Sequence, residues 1–254
     1  MDLYLSKKIF IVTGGGSGIG AAISTALAGE GAIPVIFDRS ELSADLKDSF
    51  LSDYGYRQVN LADHEACAES INWVIEKYGR LDGIVNNAGN NDRVGLDAGI
   101  EKFFESLKNN LSHVYTMMQY ALPHLRQTKG SVVNIASKVA LTGQGQTSGY
   151  AASKGGILAL TREWAAELAG AGIRVNAILP AEVLTPLYTR WLDSFEDPTK
   201  KYEQIKSHIP LENRMTKPEE IADMAVFMLS SRSAHTTGQW ICVDGGYIHL
   251  DRAL

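Results

Sequence analysis

The chain has 254 residues, of which 45% are hydrophobic and 21% are charged, and its formal net charge is -5. This composition is typical of a globular α/β chain with one large core, and the acidic balance argues against nucleic acid or an anionic membrane as a partner. The two cysteines form no CxxC pair, so neither a disulfide framework nor a metal site is expected. The apolar run at residues 9–12 is too short for a secretion signal. We therefore expect a single domain over residues 1–254, located in the cytoplasm.

The first predicted strand covers residues 8–13 and runs into a glycine-rich turn, which a helical pattern over residues 21–28 follows. A strand, a glycine turn and a helix N-terminus in this order bind phosphate, because backbone N–H groups and the helix dipole face the anion. The pattern predicts that a dinucleotide pyrophosphate binds at this helix end. Two glycine frames fit it, namely Gly14 with Gly18 and Gly20, or Gly16 with Gly18 and Ala21.

The second predicted strand, residues 32–37, ends at Asp38, eighteen positions after Gly20. An acidic residue near this spacing accepts hydrogen bonds from the adenosine ribose and repels a 2′-phosphate. The predicted cofactor is therefore NAD, with NADP less favoured. Arg39 weakens this prediction, because an arginine can turn toward a phosphate. A cap or turn residue is the alternative interpretation of Asp38.

The middle of the chain continues the alternation of strands and helices. A third strand is predicted over residues 58–61, a helix from 63 to 77 and a fourth strand over 81–85, which ends in Asn86-Asn87-Ala88-Gly89. Open parallel sheets bind ligands at such carboxyl ends of strands. A long helix over residues 100–125 follows, with Asn110 among apolar residues and His113 expected on its surface. Its predicted buried side consists of Phe103, Phe104, Leu107, Leu111, Val114, Tyr115 and Met118.

Residues 131–135 form the fifth predicted strand, with Ser137 at its carboxyl end. Tyr150 and Lys154 lie four positions apart near the start of a helix that runs to about residue 169, so the phenol and the ammonium point into the same space. A neighbouring cation lowers the pKa of a phenol, and such a tyrosine can exchange a proton with an alcohol or a carbonyl. The spacing alone also occurs on ordinary exposed helices.

The sixth predicted strand, residues 174–179, ends at Pro180. Residues 181–214 contain four aromatic residues among many charges, which favours either a helical lid over a pocket or a surface excursion with its own small core. A helix beginning near Pro218 and a strand over residues 240–243 complete the pattern. The whole alternation predicts a single-domain α/β fold of the Rossmann type, a doubly wound parallel sheet with helices on both faces.

The motifs, in order and over essentially the whole chain, resemble those of the short-chain dehydrogenase/reductase family. The residues that carry the resemblance are the turn at 13–20, Asp38, the segment 86–89, Asn110, Ser137, Tyr150, Lys154, Pro180, Thr185 and Pro186. The resemblance implies a catalytic set of Asn110, Ser137, Tyr150 and Lys154. In that set Tyr150 is the acid and base, and Lys154 holds the nicotinamide ribose and lowers the Tyr150 pKa. Ser137 donates to the substrate oxygen, and Asn110 keeps a water in a proton relay.

The resemblance also implies which residues contact the cofactor. They are Gly14, Ser17, Gly18, Ile19, Gly20, Asp38, Asn60, Leu61, Asn87, Ala88, Gly89, Tyr150, Lys154, Pro180, Val183 and Thr185. Two positions depart from the family pattern. Asn60 stands where the family usually has an aspartate near the adenine, and Ala181 follows Pro180 where a glycine is usual.

Segments 137–138, 143–150, 180–188 and 244–254 are similar to those of bacterial L-fucose dehydrogenases, which oxidise the anomeric hydroxyl of a 6-deoxy sugar to a lactone. A pocket with Gln144, Gln146 and Glu182 suits a polyol, because buried polar groups need hydroxyl partners, and Trp191 offers a face for the sugar ring.

Three other expectations remain open at this stage. A 3-oxoacyl thioester reductase, or another ketone or secondary-alcohol dehydrogenase, is the first alternative, although such thioester reductases usually draw on NADPH and Asp38 disfavours NADPH. A dinucleotide-binding protein without turnover is the second. Relatives are mostly tetramers, so the resemblance also implies a homotetramer, in which the tail at residues 249–254 reaches a neighbour's pocket.

Overall fold

The computed structural model describes residues 1–50 and 53–250. Within these residues, seven parallel strands form one sheet in the order β3-β2-β1-β4-β5-β6-β7. The strands are β1 Ile9–Thr13, β2 Ile33–Asp38, β3 Gly55–Gln58, β4 Gly83–Asn86, β5 Ser131–Ile135, β6 Arg174–Pro180 and β7 Trp240–Val243. Strands β1, β4 and β5 are buried along their whole length, as is typical of central strands in a parallel sheet that is covered on both faces. The strand order reverses between β1 and β4, so a crevice opens at the carboxyl ends of these strands.

Ten α-helices lie within the described residues. They are α1 Gly18–Gly29, α2 Ala44–Ser49, α3 His64–Tyr78, α4 Ile100–Leu107, α5 His113–Thr128, α6 Val139–Thr142, α7 Ser148–Leu168, α8 Pro186–Leu192, α9 Pro198–Lys206 and α10 Pro218–Leu229. In the part of the chain that the structure describes, none of the helices is both long enough and apolar enough to cross a membrane.

Two hydrophobic clusters, one on each face of the sheet, fix the helices in place. On one face α3, α5 and α7 pack against the sheet, with Ile71, Met117 and Ile157 fully buried. On the other face α1 and α10 cover the sheet, with Ile23 and Ile221 fully buried. This arrangement confirms the predicted doubly wound sheet with helices on both faces.

Most of the predicted strands agree with the structure, and the third is displaced. The predictions at residues 131–135 and 240–243 coincide with β5 and β7. The third strand was predicted at residues 58–61, whereas β3 covers Gly55–Gln58 and pairs with β2. The apolar residues Val59 and Leu61 caused this error, because they pack in the core from the loop after the strand.

The predicted long helix is divided by one π-helical turn, Lys108–Ser112, between α4 and α5. Its predicted buried side is wrong at two positions, because Phe104 is 61% exposed and Tyr115 is 55% exposed. His113 was expected on the surface, but it is buried, with 1% exposure. Periodicity marks an apolar stripe on a helix, but it does not say which side faces the core.

Candidate active site

The turn between β1 and α1 is shaped by glycines that approach other backbone atoms closely. Gly14 and Gly18 have φ values of +62° and +53°, in the region that favours glycine. A Cβ atom on Gly20 would lie 2.1 Å from the Gly14 carbonyl oxygen. Asn87 Nδ2 donates to the carbonyl oxygens of Thr13 and Gly14 at 3.0 and 3.1 Å. The turn is therefore lined by backbone and held against the end of β4.

The N-terminus of α1 opens onto this turn. Ser17 is the N-cap residue, its side chain makes no capping hydrogen bond, and the described first turn contains no acidic residue. Backbone N–H groups at such a helix start are available to an anion. A Cβ atom on Gly18 would lie 3.3 Å from the Thr185 Cγ2 atom, so the segment after β6 closes over the turn. Ile19, also predicted to contact the cofactor, lies in this first turn and is half-buried.

Asp38 is held in position at the end of β2. Its Oδ2 atom accepts a hydrogen bond from the Gly16 N–H at 3.0 Å, and its Oδ1 atom accepts from the Ser40 N–H at 3.1 Å. A Cβ atom on Gly16 would lie 2.9 Å from Asp38 Oδ2, so only glycine permits this contact without a shift. The carboxylate is half-buried beside the glycine turn, where sequence analysis expects the adenosine ribose.

The other predicted cofactor contacts on this side lie around the ends of β3 and β4. Thr13 Oγ1 accepts from the N–H groups of Asn87 and Ala88 at 3.0 and 3.1 Å, which ties the segment after β4 to β1. Asn60 is exposed, and its side chain accepts from the Ala62 N–H at 3.1 Å. Leu61 packs against the core. Asn60 therefore closes its own turn, while its predicted contact with adenine stays a prediction.

The structure brings the four predicted catalytic residues to one place in the crevice. Lys154 Nζ donates to the Ile135 carbonyl oxygen at 2.8 Å and lies 5.5 Å from the centre of the Tyr150 ring. A Cβ atom on Gly89 would lie 3.3 Å from Asn110 Oδ1 and 3.4 Å from Lys154 Nζ. Gly89 therefore lies close to both side chains, and Ser137 bonds to the Tyr150 phenol from the end of β5.

Asn110 lies in the π-helical turn, a type of turn that is common at functional sites. Its Oδ1 atom accepts from the Asn90 N–H at 2.7 Å, and its Nδ2 atom donates to the Ser106 carbonyl oxygen at 3.1 Å. A weaker contact of 3.4 Å joins Nδ2 to the Asp92 carboxylate. The amide thus links the segment after β4 to the α4–α5 helix, and its role in a proton relay stays a prediction.

Burial dominates the electrostatics of Tyr150 and Lys154. Burial raises the pKa of Tyr150 to about 12, although the hydrogen bond with Ser137 opposes the shift and the Asp92 carboxylate adds to it. Burial also lowers the pKa of Lys154 to about 8. Lys154 was predicted to lower the Tyr150 pKa, whereas burial raises it, and the group that opposes this shift is Ser137. A neutral phenol of this kind is suited to donate a proton to a carbonyl oxygen.

His113 is a buried titratable group behind this site that the sequence analysis missed. Within the described residues neither ring nitrogen makes a well-formed hydrogen bond, although a weaker interaction with the Ala88 backbone favours the protonated ring. Burial, and next the charge of Lys154, lower the pKa of His113 to about 4. The only sequence signal was its spacing of three from Asn110, which places both side chains on nearby parts of one helix.

The four predicted substrate residues lie in two different segments of the chain. Gln144 and Gln146 are exposed in the loop between α6 and α7, at the rim of the site. Glu182 forms an ion pair with Lys138 and accepts a hydrogen bond from the Tyr188 hydroxyl at 2.6 Å. Trp191 packs edge to face against Tyr188, with 5.0 Å between the ring centres. The structure thus brings Glu182 and Trp191 together through Tyr188.

The end of β6 supplies the remaining predicted cofactor contacts. The Pro180 carbonyl oxygen accepts from the Lys138 N–H at 2.9 Å, so the segments that follow β5 and β6 are joined. Val183 is buried and forms a parallel bridge with Thr216. Thr185 caps α8 by accepting from the Tyr188 N–H at 3.2 Å. These residues close the nicotinamide side of the predicted cofactor site.

Comparisons with known proteins identify the family to which the chain belongs. The family model described as enoyl-(acyl carrier protein) reductase matches residues 14–248. The chain belongs to the short-chain dehydrogenase/reductase family. It is therefore an oxidoreductase, and members of this family bind NAD or NADP.

Three members of the short-chain dehydrogenase/reductase family show how similar the chain is to known proteins. The 3-oxoacyl-(acyl-carrier-protein) reductase FabG of Thermotoga maritima is 36% identical over 97% of this chain and 100% of its own length. The L-fucose dehydrogenase of Bos taurus is 37% identical over 97% of this chain and 91% of its own length. The crystal structure of Cj0485 dehydrogenase has a TM-score of 0.98 at 45% identity, covering 100% of this chain and 99% of that chain.

Proposed function

We propose that the chain is an NAD-dependent dehydrogenase that oxidises a sugar hydroxyl, at the anomeric carbon of L-fucose or a related aldose. The observation that carries this proposal is the charged, hydrogen-bonded group of Lys138, Glu182 and Tyr188 immediately after Ser137. Polar groups that are mostly removed from water and keep unused donors and acceptors favour a substrate rich in hydroxyls, because an apolar substrate would cover them without adding a hydrogen bond. Similarity to the L-fucose dehydrogenase of Bos taurus supports the same substrate class.

The preference for NAD over NADP rests on Asp38. The carboxylate is fixed by the N–H groups of Gly16 and Ser40, so it cannot swing away without losing both hydrogen bonds. A fixed negative charge accepts hydrogen bonds from ribose hydroxyls and repels a 2′-phosphate. Arg39 is exposed at the next position, and we propose that it does not compensate for the repulsion.

Each residue of the site has its own role in the proposed reaction. The bound cofactor supplies the nicotinamide that accepts the hydride. Ser137 holds the substrate oxygen by a hydrogen bond, Tyr150 takes the proton from that oxygen, and Lys154 holds the nicotinamide ribose. Loss of one hydride and one proton from the anomeric carbon and its hydroxyl leaves a lactone. Asn110 keeps a water behind Lys154, through which the Tyr150 proton leaves.

The pKa of Tyr150 determines how the rates of oxidation and reduction change with pH. Because burial raises it to about 12, the neutral phenol predominates near pH 7 and the proton-accepting form becomes more abundant as pH rises. We therefore expect oxidation to become faster with increasing pH. Reduction of the corresponding carbonyl is expected to become slower over the same range.

The test is to measure the reduction of NAD and of NADP by the purified protein with L-fucose, other aldoses and simple secondary alcohols. We expect turnover of L-fucose with NAD and little with NADP. Binding of NAD without oxidation of any sugar would contradict the sugar assignment. Reduction of a 3-oxoacyl thioester with NADPH would then establish the second candidate function, which the similarity to FabG of Thermotoga maritima favours.

We also propose a homotetramer and a lid over residues 181–214. Ile100, Phe104 and Tyr115 are more than half exposed along α4 and α5, and apolar side chains exposed in a row are typical of subunit interfaces. The proposed lid contains α8 and α9. The molar mass in solution, measured by light scattering, tests the assembly. The predicted contact of the tail with a neighbour depends in part on residues 251–254, which lie outside the described residues.

A further inference from the structure

Lys138, Glu182, Tyr188 and Tyr247 form a cluster at the carboxyl end of the sheet, and we call it the charged cluster. Lys138 pairs with Glu182, and the two side chains are 10% and 13% exposed. Tyr188 donates to Glu182 Oε2 at 2.6 Å, while the Lys138 ammonium lies 4.2 Å from the centre of the Tyr247 ring. The charged cluster therefore joins the segment after β5, the segment after β6, α8 and the region after β7.

The position of the charged cluster relates it to the substrate. Lys138 directly follows Ser137, the proposed donor to the reacting oxygen, and its N–H donates to the Pro180 carbonyl oxygen. Glu182 lies two residues after Pro180, at the end of the neighbouring strand. The two residues of the ion pair thus follow the ends of neighbouring strands, at the same edge of the sheet as Ser137.

An ion pair in this position is unfavourable for stability alone. Removing two charges from water costs more than their attraction commonly returns, and well-packed apolar residues of similar size are often as stable. The ammonium has three N–H donors and the carboxylate has about four acceptor sites. Glu182 Oε1 accepts a hydrogen bond from Lys138, and Oε2 accepts one from Tyr188. The Lys138 ammonium and the Glu182 carboxylate can therefore each form further hydrogen bonds. A vicinal hydroxyl group can fill both roles, because it donates and accepts.

We propose that the Lys138–Glu182 pair is the specificity element for the substrate, and that it binds the hydroxyl on the carbon next to the reacting carbon. The inference rests on the proposed function and names how the site recognises its substrate. Lys138 donates to this hydroxyl and Glu182 accepts from it, while Tyr188 and Tyr247 hold the two charges in place. A substrate that lacks the hydroxyl forms neither of these hydrogen bonds and is disfavoured.

The experiment compares two substrates in the wild type and in the variants Lys138→Met and Glu182→Gln, with NAD as cofactor. The substrates are L-fucose and 2-deoxy-L-fucose, which differ only in the hydroxyl next to the anomeric carbon. Lys206→Met is the matched control, because Lys206 also pairs with a glutamate in residues 181–214, Glu203, and lies 5.4 Å from a tyrosine ring, Tyr202. Thermal unfolding and NAD binding are measured for every variant.

In the wild type we expect kcat/KM for 2-deoxy-L-fucose to be about 100-fold below that for L-fucose, because both hydrogen bonds between the hydroxyl and the charged pair are then lost. In Lys138→Met and Glu182→Gln we expect this ratio to fall to about threefold, through loss of activity on L-fucose. The Lys206→Met variant is expected to keep the wild-type ratio.

The outcomes separate this inference from the proposed function. A wild-type ratio that persists in both variants would overturn the specificity role, as would an equal loss on both substrates, which indicates only a structural role. Glu182→Gln preserves shape and the bond from Tyr188, so it tests the pair even if Lys138→Met fails to fold. If the wild type oxidises neither sugar, the proposed function itself is wrong.

Discussion

The two halves of the crevice are held by different kinds of contact. The cofactor half, which comprises the turn after β1, Asp38 and residues 86–89, is fixed by glycine contacts and by hydrogen bonds to backbone groups. The half that we propose binds the substrate is the charged cluster, which is held by an ion pair, a phenol hydrogen bond and a cation–π contact. The cofactor half therefore depends on backbone shape, and the substrate half depends on the identity of side chains.

This difference indicates how well each half of the crevice tolerates amino-acid substitutions. A Cβ atom added at Gly14, Gly16 or Gly20 would lie 3.0, 2.9 or 2.1 Å from a neighbouring atom, so substitutions at these glycines require the surrounding structure to shift. The charged cluster can be changed one side chain at a time while the sheet beneath it stays intact. We expect substitutions in the cofactor half to affect folding or cofactor choice, and substitutions in the substrate half to affect which substrate is used.

Tyr150 lies where the two halves meet, and its removal should have the largest effect. In Tyr150→Phe we expect kcat to fall by about 1,000-fold, because proton transfer by a positioned side chain contributes about 100- to 10,000-fold. NAD binding, measured by calorimetry, should weaken far less than kcat falls, because the phenol is one of many predicted cofactor contacts. Tyr120→Phe removes a phenol elsewhere and should keep normal turnover. Normal turnover in Tyr150→Phe would exclude Tyr150 as the acid and base.

The next largest effect should come from Gly20→Ala in the cofactor half. The new Cβ atom would lie 2.1 Å from the Gly14 carbonyl oxygen, so backbone must move, and we expect a loss of about 3 kcal/mol or more in the free energy of unfolding. The matched control is Gly29→Ala in the same helix, where nothing lies within 4 Å of the added atom. That variant should be unchanged or about 0.5 kcal/mol more stable. Chemical denaturation of both proteins decides between these outcomes.

A smaller effect on stability, which depends on pH, is expected from the buried His113. Its pKa is lowered from 6.5 to about 4, so between these values the unfolded chain binds a proton that the folded protein does not. Stability is therefore complete above pH 6.5 and is lost as pH falls toward 4, by about 2 kcal/mol between pH 7 and 5.

In His113→Gln this part of the acid sensitivity should disappear, whereas the exposed His235→Gln variant should keep it. Unfolding curves at pH 7, 6 and 5 provide the measurement. Equal acid sensitivity in wild type and His113→Gln would show that other groups cause the loss.

The smallest effect should be the change of cofactor preference in Asp38→Asn. Removing the charge while keeping an acceptor should raise kcat/KM for NADP relative to NAD by about tenfold, because repulsion of a 2′-phosphate is relieved. The exposed Asp48→Asn variant changes the net charge equally and should leave the ratio unaltered. An unchanged ratio in Asp38→Asn would remove the basis for the NAD assignment.

Features that depend on a short segment of the chain could be predicted from the sequence. Features that depend on tertiary contacts could not. β5, the glycine turn and the Tyr150–Lys154 spacing are each contained in a short segment, and the structure brings the predicted catalytic residues together. The charged cluster could not be found in this way, because Lys138 and Tyr247 are far apart in the sequence and meet only in the fold.

Two other errors have physical causes of the same kind. The pKa of Tyr150 was expected to fall because of Lys154, but the extent of its burial is a property of the packed site. The exposed Phe104 and Tyr115 belong to an apolar stripe, and periodicity cannot distinguish a stripe that faces the core from one that faces outward.

The strand order also determines how the protein is assembled during translation. β1 pairs with β2 and β4, and all the strands from β1 to β4 end by Asn86. This half of the sheet can form before the rest of the chain is made, because nascent chains acquire structure from the N-terminus. The edge of β4 then has no partner until β5, Ser131–Ile135, emerges. An unpaired strand edge is prone to aggregation, so the nascent chain is most exposed to it while α4 and α5 are being synthesised.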